Sequence, residues 1–127
     1  MRAILVDTDV LINFLRGEDK AREFLLSEAA ESVLYCSVIT IAEIHAGMLP
    51  HEAHKTGSLL DGLHIVEVTR EIAEKAGSYK RAIKRQQIEL MDCLIAATAH
   101  ATNAFLATGN AKHYPMPDIE VLTVRPE

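Results

Sequence analysis

Met1-Arg2-Ala3-Ile4-Leu5-Val6-Asp7-Thr8-Asp9 runs a continuous apolar segment, residues 3–6, directly into a carboxylate. A run that rich in Ile, Leu and Val reads as a strand buried on both faces, the pattern of a parallel sheet covered by helices. Its abrupt end at Asp7 puts an acid at the carboxyl end of that strand, where open α/β sheets bind their ligands. The remaining sequence can be searched for what faces Asp7.

Outward from this segment, residues 10–15 read as a short helix, with Thr8 or Asp9 as N-cap and Gly17 as stop. Ala21, Phe24, Leu25 and Ala29 recur at helical spacing, which predicts a second helix over 18–31. A second strand is expected at 33–36. A third helix opens at Thr40-Ile41-Ala42-Glu43 and runs to Gly47 or Leu49, before Pro50. Residues 51–63 predict a helix ended near Gly62, and 64–68 alternate like a third strand. A long helix is expected from 69 to about 87, with Ile72, Ala73, Ala76, Tyr79 and Ile83 on its apolar side. Asp92 starts another strongly helical run, followed by strands at 104–107 and 121–124. Strands alternating with helices imply a three-layer α/β fold, with a central, mostly parallel sheet of about five strands and helices on both faces.

The 127 residues predict a single domain, 1–127, large enough for a real core. Hydrophobic content of 49% and charged content of 24% are ordinary for a globular protein. The net charge of −5 excludes strong long-range attraction to nucleic acid by the chain as a whole. Cys36 and Cys93 each lie in an apolar segment, and are expected to be free, buried thiols in a reducing cytoplasm. A strand starting almost at Met1 leaves no room for a signal peptide, and the apolar runs are too short to span a bilayer.

Three carboxylates hold equivalent positions. Asp7 follows strand one, Glu43 lies in the first turn of the helix after strand two, and Asp92 opens the helix before strand four. In a sheet of this kind such positions can converge on one rim. Two carboxylates ~4 Å apart repel by about 4 kcal/mol at an effective dielectric near 20, so protons or a cation must relieve a cluster of them. An oxygen-only set suits Mg²⁺ or Mn²⁺, and a divalent ion so held supports phosphodiester hydrolysis by water. Each acid also has a plainer role open to it. Asp7 could cap the first helix. Thr40-x-x-Glu43 has the form of a capping box, and Asp92 could be a simple N-cap.

With these motifs in view, the chain resembles the PIN-domain ribonucleases, and among them the VapC toxins of toxin–antitoxin pairs. Val6-Asp7-Thr8-Asp9-Val10-Leu11-Ile12 is similar to the family's opening motif, which usually carries Asn where Asp9 stands. Residues 37–47, containing Thr40 and Glu43, resemble the second motif, and residues 92–99 the third. The resemblance extends over essentially the whole chain. It implies that Asp7, Glu43 and Asp92 are metal ligands for Mg²⁺ or Mn²⁺ and carry the catalysis. It also implies an RNA substrate, a homodimer, and inhibition by a cognate VapB-like antitoxin. Thr8 or Thr108 looks like the small hydroxyl residue that supports the site. The fourth motif departs from the family pattern. In Thr108-Gly109-Asn110-Ala111-Lys112-His113-Tyr114-Pro115, Asn110 and His113 occupy the places where an acid is expected. Asn110 could still offer a carbonyl oxygen, and Asp9 could compensate for the missing charge.

For RNA contact, Lys80, Arg81, Lys84 and Arg85 fall at i, i+1, i+4 and i+5, a basic stripe if the helix continues through them. A solvated helix face is the plainer reading. The absence of Trp, with only 3 Phe and 3 Tyr, argues against a broad base-stacking platform. The 6 histidines show no zinc spacing and read as surface or core residues. Phe14, Phe24, Leu25, Ile44 and Met48 on the early helices are core, or the floor of a groove for a partner helix. Two other enzyme or signalling classes share parts of the pattern. An Asp-x-Asp phosphatase would use Asp7 and Asp9 but leave Glu43 and Asp92 without roles. A receiver domain would need an Asp after strand three, where Thr69-Arg70-Glu71 stand. A PIN-like RNA-binding or regulatory module without catalysis is a further alternative, given the altered fourth motif.

Overall fold

The computed structural model describes residues 1–126. Strand β1, Arg2–Val6, leads into helix α1, Thr8–Leu15, and α2, Asp19–Glu31. β2, Ser32–Ser37, is followed by α3, Val38–Ala46, a 3₁₀ turn at Pro50–Glu52 and α4, Ala53–Asp61. β3, His64–Val66, precedes α5, Arg70–Ala82, and α6, Leu90–Thr102. β4, Phe105–Thr108, a 3₁₀ turn at Ala111–His113 and β5, Val121–Thr123, complete the order.

The strands form one sheet in the order β3-β2-β1-β4-β5, and every pairing is parallel. The expected "mostly parallel" sheet is therefore wholly parallel. β1 is central, and the order of strands reverses between β1 and β4. That reversal opens the crevice in which α/β sheets place their ligands.

Alternation along β1 assigns its residues to two cores. Ile4 and Val6 pack under α1–α4, and Leu5 packs under α5 and α6. All three are fully buried. Each such side chain contributes about 1.5–3 kcal/mol of burial. A one-residue slip would turn each to the wrong face, so the register that presents Asp7 is strongly held. Leu106 and Ala107 divide between the same two cores on β4. Cys36 and Cys93 are free and buried, as expected. Burial pushes the Cys36 thiol up to about 12.

Several boundaries differ from the sequence expectation. The N-cap of α1 is Asp7, whose side chain accepts from the Thr8 amide, rather than Thr8 or Asp9. α3 begins at Val38 with Ser37 as its cap, two residues before Thr40. β3 stops at Val66. α5 ends at Ala82 rather than near 87, because Ile83 takes extended backbone. α6 starts before Asp92, with Glu89 as N-cap. No helix among the described residues is long and apolar enough to cross a membrane.

Candidate active site

Asp7 leaves β1 as that strand's backbone ladder ends, its amide donating to the Ala107 carbonyl at 2.9 Å. The side chain is 6% exposed. Oδ1 accepts from the Thr8 amide at 2.8 Å, so capping and site geometry use the same carboxylate. Oδ2 accepts from the Thr108 hydroxyl at 2.7 Å and the Tyr114 hydroxyl at 3.0 Å. Thr108 ends β4, the neighbour of β1 across the strand-order reversal. The two sheet halves are thus joined at this acid.

Asp92 enters from the first turn of α6. Its Oδ1 lies 3.4 Å from the same Tyr114 hydroxyl, and its Oδ2 lies 3.5 Å from His113 Nδ1. Burial pushes the Asp92 carboxyl up. His113 opposes that shift, while the negative charges of Asp7 and Glu43 add to it. Glu43 reaches the site from α3. The Thr8 hydroxyl donates to Glu43 Oε1 at 2.6 Å and sits 3.0 Å from the fully buried Thr40 hydroxyl. The capping box read from Thr40-x-x-Glu43 does not form. Ser37 caps the helix instead, its hydroxyl accepting from the Ile39 amide, and Glu43 is left to face Thr8.

Asp9 stands beside this group. Its Oδ2 accepts from the Gly109 amide at 2.9 Å and from Asn110 Nδ2 at 3.1 Å. Asn110 therefore presents its amide nitrogen, not its carbonyl, to the acidic side chains. Asp9 Oδ1 is buried without a hydrogen-bond partner. Burial first, and then the charge of Asp7, push the Asp9 carboxyl up to about 6, against the pull of the Gly109 amide. Both hydroxyl residues weighed as supports are used, Thr8 on Glu43 and Thr108 on Asp7.

Tyr114 is the site residue that sequence reasoning missed. Tyr114 follows Lys112-His113 in sequence with nothing local to mark it, yet it is only 4% exposed, within the cluster under α5 and α6. The available signal was its place just past β4, after the 3₁₀ turn. Burial and then the charges of Asp7 and Asp92 push its phenol far above the usual range, so it remains a donor. His113, expected to be an ordinary surface or core residue, is the cationic partner available to Asp92 when protonated.

Among the described residues, no Lys or Arg forms a salt bridge with Asp7, Asp9, Glu43 or Asp92. As the side chains stand, no three acids, histidines or cysteines among the described residues surround a single point closely enough to grip an ion unaided. The Thr8, Thr108 and Tyr114 hydroxyls instead hold the acids. Hard oxygens, uncompensated charge and one orphaned buried oxygen fit a hard divalent ion that keeps part of its water shell.

The basic stripe is not a stripe. With α5 ending at Ala82, Lys84 and Arg85 lie in the exposed loop 83–89. Lys80 turns back to donate to the Ile88 carbonyl at 2.5 Å. Arg81 stays on the exposed last turn. The loop is not remote from the acids, since Gln86 donates to the Lys112 carbonyl at 2.9 Å, next to His113.

On the opposite core, Ile12, Leu15, Ile44 and Met48 line a cavity of about 120 Å³ rimmed by Arg16, Glu52 and Lys55. Ile44 both belongs to the buried core and lines the cavity, Met48 lines the cavity, and Phe14, Phe24 and Leu25 pack into or against the core.

The chain is similar to known proteins in both sequence and fold. The PIN domain family model matches residues 4–118. Ribonuclease VapC10 of Mycobacterium tuberculosis is 42% identical over 115 residues, spanning 89% of this chain and 86% of that protein. A toxin–antitoxin complex from Klebsiella pneumoniae contains a chain that superposes with a TM-score of 0.82 at 28% identity, covering 98% of this chain and 99% of that one. The fold is shared equally with VapBC2 of Rickettsia felis, solved bound to a promoter DNA fragment, at a TM-score of 0.83 and 20% identity. That match covers 97% of this chain and 99% of the other.

Proposed function

The chain belongs to the PIN domain family, and from that premise we propose that it is the endoribonuclease toxin of a VapBC-type pair, using Mg²⁺ or Mn²⁺ held by Asp7, Asp92 and Glu43. The observation that supports this reading best is the meeting of Asp7 and Asp92 on one buried hydroxyl, with Glu43 tied to Thr8 alongside. A phosphatase built on Asp7 and Asp9 would leave Glu43 and Asp92 without work. It would also have its second acid facing Gly109 and Asn110 instead of a substrate.

When bound, the cation would polarise a phosphate oxygen and lower the pKa of a water ligand enough for it to attack phosphorus. The protein's own residues set the stage for that. Asp7, Glu43 and Asp92 supply hard oxygens from three elements, β1, α3 and α6. Thr108 and Thr8 donate hydrogen bonds to Asp7 and Glu43, which restricts the side-chain freedom left to be lost. His113 is placed to hand a proton to a leaving oxygen or to steady its charge, since it is half-exposed and borders Asp92. Lys84 and Arg85, on the loop hooked to Lys112, would receive phosphates flanking the one cleaved.

The solved neighbours include toxin–antitoxin complexes. The Ile12, Leu15, Ile44 and Met48 cavity is the place on this chain suited to an apolar side chain of an antitoxin helix, with Arg16, Lys55 and Glu52 available for its charges.

The test is cleavage of RNA with Mn²⁺, Mg²⁺ or EDTA, beside a chromogenic phosphomonoester. RNA cleavage abolished by EDTA and by Asp7→Asn is expected. Turnover of the monoester alone would favour the phosphatase, and RNA binding without cleavage a silent PIN module.

A further inference from the structure

The Tyr114 hydroxyl is 3.0 Å from Asp7 Oδ2 and 3.4 Å from Asp92 Oδ1. Asp7 belongs to the end of β1 and Asp92 to the first turn of α6. Among the described residues, no other side chain hydrogen-bonds to both. The ring is buried in the core with Leu5, Cys93, Ala96 and Leu106. Packing on all sides of a rigid ring fixes its hydroxyl, so the two carboxylates must accommodate to it. A phenylalanine ring would fill the same core space. The hydroxyl is therefore the part that packing does not require, and it lies where the two acids meet.

We propose that Tyr114 is a positioning residue that sets the separation of the Asp7 and Asp92 carboxylates, and through it the affinity of the site for a hard divalent cation. This rests on the metal-dependent reading above. Partners of metal ligands outside the coordination sphere typically govern about 10- to 100-fold in metal affinity or activity. The long contact to Asp92 places Tyr114 toward the lower end of that span.

The test is calorimetric titration of Mn²⁺ into the full chain without RNA. Tyr114→Phe is expected to weaken binding about tenfold. Tyr79→Phe is the control: it also removes a hydroxyl hydrogen bond, to Asp118, but that acid pairs with Lys75 and His100. It should leave Mn²⁺ affinity unchanged. In RNA cleavage, Tyr114→Phe should keep its KM for RNA and recover its kcat at high Mn²⁺. Unchanged Mn²⁺ affinity in Tyr114→Phe overturns the proposal alone. An equal loss in Tyr79→Phe overturns it too, since a buried hydroxyl anywhere would then do the same. Failure of the unmodified protein to bind Mn²⁺ overturns the metal-dependent reading and this proposal with it. A second readout needs no variant at position 114. With 3-fluorotyrosine at the 3 tyrosines, the fluorine resonance of Tyr114 should move on adding Mg²⁺ while those of Tyr35 and Tyr79 stay. A stationary Tyr114 signal overturns the proposal.

Discussion

Thr108 and Asp7, 101 positions apart in sequence, are joined by a 2.7 Å hydrogen bond from hydroxyl to carboxylate, buried at the junction of β4 and β1. The same Thr108 oxygen accepts from the Asn110 amide at 3.0 Å. Thr108→Val keeps the shape and removes both. It should cost about 1–3 kcal/mol, the price of leaving buried polar groups unpaired. Thr108→Ser should recover most of that. Urea denaturation of the three proteins measures it.

Glu43 separates folding from chemistry. Its Oε1 accepts from Thr8, and the carbonyl of a glutamine can do the same. Glu43→Gln should therefore melt within a few degrees of the unmodified protein, since surface-proximal swaps that keep their partners cost about 0.5 kcal/mol or less. Its RNA cleavage should fall by about a hundredfold or more if the carboxylate is a metal ligand. Melting and cleavage on the same preparation give both answers.

Asp9 makes stability depend on pH in an unusual direction. Burial and the neighbouring Asp7 raise its carboxyl from 3.8 to about 6, so the folded chain binds this proton more tightly than the unfolded one. The stabilisation is complete below about 3.8 and is lost as pH rises through 6. Asp92 is shifted the same way. Glu28 is shifted down by Ser32 and Arg2, and acts oppositely at the acid end. The comparison of Asp9→Asn with the unmodified chain isolates one group. The variant should be more stable at pH 7.5 and lose that advantage near pH 4. Denaturation across that range with EDTA present reads the difference, and parallel curves would refute it.

Gly109 leaves no room for a side chain. A Cβ there would lie 2.5 Å from Asp9 Oδ2 and 3.1 Å from the Val124 carbonyl. The Asp9 carboxylate can rotate away, but the Val124 backbone is held by its amide donating to the Thr108 carbonyl at 2.8 Å. Gly109→Ala should cost about 1–3 kcal/mol, as overpacking does. Adding Asp9→Ala should return part of it, because neighbouring substitutions do not add. A double-mutant cycle in urea tests this.

Lys84 and Lys80 should behave differently although both are basic and close in sequence. Lys84 is exposed on the loop, whereas Lys80 donates to Ile88. Lys84→Ala and Arg85→Ala should raise KM for RNA, each lowering the salt dependence of binding by about one unit of slope. Lys80→Ala should loosen the loop and lower the melting temperature instead. Filter binding at several salt concentrations, with melting curves, separates the two.

The linear order of residues determined the layered α/β architecture. The short run of residues 3–6, rich in Ile, Leu and Val and stopped by Asp7, reads as a buried strand, and the helical periodicities between such runs supply the elements that cover the sheet. It also singled out Asp7, Glu43 and Asp92 as acids that the sheet could bring to one rim, although each had a capping role open to it and only the family resemblance favoured a ligand role. What it left undecided was competition between local and distant partners. Thr40-x-x-Glu43 satisfies the form of a capping box, yet Ser37 ends the strand and takes the cap, freeing Glu43 for Thr8. Lys80 to Arg85 keep helical spacing, yet the chain leaves the helix at Ile83. The part played by Tyr114 was decided by tertiary structure alone. Its hydroxyl acts where β1 and α6 come together, and hydrogen bonds between residues so far apart in sequence are set by packing, which no periodicity records.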